Sequence, residues 1–145
     1  MFSKIAVALN DLPESQRALR TAIDLARLCN AELATVSILG DPPAYASFSV
    51  VADAGASLAA MLEERRDRQK EMHEKAANLA RELGVHAQGS IVVGNEVRAI
   101  LHFLKEQNAD LLVIGLHQHD FYLSRLWSSV YDLAQDATCS VLGVH

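Results

Sequence analysis

With 145 residues, half of them hydrophobic and 21% charged, the chain has the size and composition of a single domain, 1–145, that can bury a core without disulfides or metal. A net charge of −5 argues against nucleic acid or an anionic membrane as the main partner, because both demand a basic surface. Two cysteines, Cys29 and Cys139, form neither a disulfide framework nor a metal-type pair, and no apolar run approaches the ~18 residues of a membrane helix. The opening residues carry no long apolar stretch after a charged segment, so a cytoplasmic address is expected.

Ile5 to Leu9 is a continuous apolar run, the pattern of a strand covered on both faces. Pro13 and Glu14 suit the first turn of a helix whose apolar face carries Leu19, Ala22, Ile23 and Ala26, with Asn30 as its C-cap. Leu33 to Leu39 reads as a second strand, stopped by Gly40, Asp41, Pro42 and Pro43. Ala44 to Ser57 has no clear period and is compatible with a loop, a short helix or a lid. A long helix is expected from Leu58 to Leu83, with Gly84 at C′. Its run Arg65-Arg66-Asp67-Arg68-Gln69-Lys70, framed by Glu63, Glu64 and Glu71, reads as a solvated face.

Ala87, Gly89, Ile91 and Val93 alternate as a third strand, and Gly94-Asn95 turns the chain. Val97, Ile100, Leu101 and Leu104 mark a short helix capped near Asn108. Leu111 to Ile114 is a fourth strand. Gly115 to Trp127 reads as irregular, with Ser128-Ser129 capping a last helix through Val130, Leu133, Ala134 and Ala137. Val141 to Val144 is the final strand. Strict βα alternation implies an open five-stranded parallel sheet of order 3-2-1-4-5, Rossmann-like, with helices on both faces. Ligands in such sheets bind beyond the carboxyl ends of the strands where strand order reverses, here between strands one and four.

Several stretches resemble the universal stress protein family: Ile5 to Asn10 with Pro13-Glu14-Ser15, Asn30 to Leu33, Val92 to Asn95, Ala109 to Gly115, and Cys139 to Leu142. The resemblance covers nearly the whole chain apart from Asp41 to Ala56. Nucleotide-binding members of that family carry a G-x2-G-x9-G-S/T loop after strand four, whose glycines let backbone amides approach the phosphates. Gly115 matches the first glycine, Gln118 and Ser128 replace the other two, and Ser129 keeps the hydroxyl. Asn10 stands where those members carry an acidic residue. His117-Gln118-His119-Asp120-Phe121 with Ser128-Ser129 is similar to a branch regarded as not binding ATP.

The resemblance therefore implies a stress-response or signalling module acting by association, with a degenerate nucleotide site and no cofactor. The alternative is a binder that retains weak ATP or AMP affinity in a pocket of Ala8, Asn10, Ile38, Leu39 and Gly115. No nucleophile elbow or Walker loop is present, so an enzyme is not expected. His117, His119 and Asp120 fit a polar loop or a subunit contact better than a metal site, because one short loop rarely presents three converging ligands. Phe121, Tyr122 and Trp127 would cover the phosphate space. An apolar final strand (Val141, Leu142, Val144) at a sheet edge, with Gly143 allowing close approach, is expected to pair with its copy in a homodimer; the resemblance implies the same.

Overall fold

The computed structural model describes the backbone of residues 1–40, 52–116 and 123–145, and the side chains of 1–40, 58–116 and 130–145. The apolar runs become five strands: β1 (Lys4–Ala8), β2 (Glu32–Leu39), β3 (Ala87–Val93), β4 (Leu111–Gly115) and β5 (Ser140–Val144). All pair in parallel, in the order β3-β2-β1-β4-β5. The helices between them are α1 (Pro13–Cys29), α2 (Ala52–Glu82), α3 (Glu96–Gln107) and α4 (Leu123–Asp136). The sheet order is the one the βα alternation predicts.

Side chains alternate across the pleat, so each strand feeds two cores. Ile5 and Val7 of β1 pack with Leu19 and Ile23 of α1 and with Ala76 and Ala80 of α2. Ala6 packs on the opposite face with Ile100, Phe103 and Leu104 of α3 and Leu133 of α4. Both faces are thus covered, and a fully buried side chain such as Ile23 contributes about 1.5–3 kcal/mol. No helix among the described residues is long and apolar enough to cross a membrane.

Short polar residues set the helix ends. Asn30 and Asn108 both adopt the left-handed conformation, φ 53° and 51°, and end α1 and α3. Asn95 caps α3 by accepting from the Arg98 amide. At the amino ends of the strands, the Asp110 carboxylate accepts from the amides of Ser3 (2.7 Å) and Lys4 (3.1 Å). That aspartate of the Ala109–Gly115 stretch therefore fastens β1 to β4, at the end of the sheet away from the switch point.

Two helix starts differ from the sequence reading by several residues. α2 starts at Ala52, so the second half of the unassigned Ala44–Ser57 segment is helix; 44–51 lies outside the described residues. α4 starts at Leu123, well before Ser128-Ser129. Those serines are inside the helix and do not cap it. Leu123, Leu126, Val130 and Leu133 recur at helical spacing, and this period outweighs the capping preference of serine.

Candidate functional site

Strand order reverses between β1 and β4, which places Ala8, the loop after it, and Gly115 at the switch point. The loop is closed by its own hydrogen bonds. The Asn10 amide donates to Ser15 Oγ at 2.9 Å, and Asn10 Oδ1 accepts from the Leu12 amide at 2.9 Å. Ser15 Oγ lies 3.5 Å from the Ala8 carbonyl, to which it donates. This knot takes the place of a side-chain cap: Leu12 is the N-cap of α1 and offers none, while Pro13 opens the helix. Asn10 thus builds the start of α1.

Gly115 has a packing role of its own. A Cβ there would lie 2.5 Å from the Glu14 carbonyl carbon and 2.6 Å from its oxygen. The end of β4 touches the first turn of α1 so closely that only glycine fits. The glycine that resembles the start of a phosphate loop is therefore required by the fold itself.

The other expected pocket residues that are described fall on both faces of the sheet. Ala8 and Ile38 both lie against the core beneath α3 and α4. Leu39 is buried and, as Ile38's neighbour along the strand, points to the opposite face. Gln118, with His117, His119, Asp120, Phe121 and Tyr122, lies outside the described residues. Trp127, Ser128 and Ser129 lie within α4. Among the described residues no cluster of three His, Cys, Asp or Glu could hold a metal.

Two adjoining cavities open on the other side of β1, between α1 and α2. The larger, ≈ 470 Å³, is walled by Leu9, Leu19, Met72 and Leu79 with Asn10, Arg68 and Lys75 among its polar groups. The smaller, ≈ 300 Å³, reaches Ser37, Ile38, Arg65 and Gln69. Both share Leu9, Asn10, Asp11, Arg68 and Met72 and so form one cleft. Of the expected pocket, the cleft includes Asn10 and Ile38 only.

Beneath the cleft is a buried polar chain that the sequence reading missed. Gln69 Nε2 donates to the Ile38 carbonyl at 3.0 Å, which turns its Oε1 toward Ser37. Ser37 Oγ donates its one proton to that oxygen at 2.7 Å. His73 Nε2, 2.8 Å from Ser37 Oγ, is then the donor to it. His73 Nδ1 accepts from Thr35 Oγ1 at 2.7 Å. Every member is satisfied only by a neutral histidine protonated at Nε2. His73 is 8% exposed, and burial pushes its pKa down. A Cβ on Gly89 of β3 would come within 2.9 Å of the His73 ring, so glycine makes the room. The readable signal was Gln69, His73, Ala76 and Ala80, one helical stripe opposite a strand glycine; Glu71, Glu74 and Lys75 between them mask it.

The remaining candidates are ordinary surface or core groups. His86 and His102 are exposed, and His102 pairs with Glu106 at 3.1 Å. Both cysteines are free and half-buried. Burial raises the pKa of Cys139 and Asp110 adds to the rise, against a lowering hydrogen bond from the Leu112 backbone, so this thiol is not activated.

The model of the universal stress protein family matches residues 1–145, and the chain belongs to that family. It is 29% identical over 126 residues to universal stress protein C of Salmonella typhi, covering 83% of this chain and 87% of that one. Among solved structures it is similar to universal stress protein UspA from Lactobacillus plantarum (TM-score 0.82, 17% identity, 99% of this chain and 97% of that one). It is also similar to a universal stress protein in complex with cAMP (TM-score 0.75, 24% identity, 99% and 97%). The two structural likenesses show a shared fold.

Proposed function

We propose that this universal stress family member acts in the cytoplasm as a stress-response or signalling module, by association with another protein and without catalysis, and that its nucleotide site is degenerate. The observation that carries this reading is the state of Asn10. Its side-chain oxygen and its amide are both committed to the β1–α1 turn, to Leu12 and Ser15, where a nucleotide-binding relative would present an acidic group. Two further features support it. Gly115 is accounted for by its contact with Glu14, and Gln118 and Ser128 occupy the positions of the other two loop glycines. Each non-glycine residue forced into a left-handed turn costs about 1–2 kcal/mol, and each lost hydrogen bond to a charged phosphate about 1.5–3 kcal/mol.

The competing reading is weak ATP or AMP binding at the same switch point. It draws on the similar universal stress protein that is in complex with cAMP. Mass spectrometry of small molecules released from the purified protein separates the two. The proposal expects no adenine nucleotide; a stoichiometric one would overturn it.

A further inference from the structure

We propose that the cleft between α1 and α2 is a binding site for a small organic anion, an apolar body bearing one phosphate, sulfonate or carboxylate group. The cleft adjoins the switch-point pocket and shares Asn10 and Ile38 with it, but its cations lie on α2, and the proposal stands whether or not the switch point takes a nucleotide. Its volume, ≈ 470 Å³ with a further ≈ 300 Å³ adjoining, is in the range of small-molecule sites. Leu9, Leu19, Met72 and Leu79 give it an apolar wall.

The charge at the cleft favours an anion. Arg65, Arg68 and Lys75 line it, against Asp11 and Glu71. Lys75 is bonded to Glu71 at 2.9 Å, which holds that carboxyl below its usual pKa and answers its charge. Among the described residues, Arg65 and Arg68 form no ion pair. They lie three residues apart, one turn along α2, and line the same cavity. Guanidinium groups spaced this way suit the forked geometry of phosphate or carboxylate.

The floor adds a fixed polar contact. Gln69 is held in one orientation by Ile38 and Ser37, which uses one of its two amide hydrogens and leaves the second for a ligand. His73 and Thr35 hold Ser37 from below. A ligand thus meets a held donor at the bottom and two exposed guanidinium groups at the rim.

1-Anilinonaphthalene-8-sulfonate, an aromatic body with one sulfonate, is a suitable probe. The wild-type protein should bind it with fluorescence enhancement and with an affinity that falls as salt rises. The double variant Arg65→Ala/Arg68→Ala should bind at least about tenfold more weakly. Arg66→Ala, an exposed change outside the cavity lining, should bind like wild type. Phenyl phosphate should displace the probe and benzyl alcohol should not. Equal binding by the double variant, or equal displacement by both competitors, would overturn the proposal. The substituted residues, Arg65 and Arg68, are on α2, so failure here leaves the reading of Asn10 and the switch point untouched.

Discussion

At the scale of single residues, one amino acid can satisfy a family pattern and a local steric demand at once. Gly115 reads from sequence as the first glycine of a phosphate loop, yet its neighbour is the Glu14 backbone. Gly115→Ala should therefore cost about 1–3 kcal/mol by overpacking and lower the melting point by several degrees, with or without ATP. Gly40→Ala is the control: among the described residues a Cβ there meets nothing within 4 Å. Calorimetry showing equal melting points for the two variants would refute the contact. Gly143 carries the same lesson. Its Cβ would meet Leu116 Cδ1 at 2.6 Å, so its smallness is used within the chain whatever lies beyond the edge.

At the scale of elements, the docking of α2 depends on a histidine that must stay neutral. The ordinary pKa of His73 is 6.5 and burial lowers it in the fold; its neighbours Thr35, Ser37 and Gly89 bring no charge. A depressed pKa means that the unfolded chain takes up the proton first. The contribution of His73 to stability is whole above the unfolded value and declines as pH falls from there toward the folded value. Urea unfolding at about pH 7.5 and about pH 5.5 should show wild type losing stability by up to about 1.4 kcal/mol per pH unit. His73→Gln should be less stable at the higher pH and lose less on acidification. A variant whose stability falls as steeply as wild type would remove His73 from this role. Thr35→Val leaves Nδ1 without a donor and should cost about 1–3 kcal/mol at the higher pH, as read by the same denaturant curves.

Helix period explains which elements were legible. α1 and α3 announce themselves through proline, asparagine caps and clean apolar stripes. The start of α4 was hidden because Leu123 to Trp127 mixes apolar and polar groups, and serine there resembles a cap. His73 was hidden because polar side chains normally mark the solvent face of a helix, and here one face buries a polar chain against a strand.

At the scale of the whole molecule, the sheet order was legible because right-handed βα crossovers leave few alternatives. An association surface was not, since such surfaces carry no local period. β5 is an edge strand, and its ladder to β4 fixes which amides point outward. The Ser140 amide bonds to the Asp110 carbonyl and the Val144 carbonyl accepts from Leu116. By alternation, Val141 and Gly143 present their amides away from β4. We expect a homodimer joined there, β5 to β5. Val141→Pro removes an outward donor, keeps the ladder and leaves an apolar side chain on the core that Val141 packs against, whereas Leu142→Lys would set a charge against the core that Leu142 packs against. Sedimentation at roughly tens of micromolar should show a dimer for wild type and a monomer for Val141→Pro. A wild-type monomer, or a dimeric variant, would exclude this interface.

The reading of the switch point is tested most directly by isothermal titration with Mg-ATP, run in parallel on the Arg65→Ala/Arg68→Ala variant so that any binding in the α1–α2 cleft is subtracted. With Asn10 committed to its turn and two loop glycines replaced, a dissociation constant near millimolar or weaker is expected, about 4 kcal/mol of binding or less. A constant below ~10 μM in both proteins, about 7 kcal/mol or more, would contradict it and restore a working nucleotide site between β1 and β4.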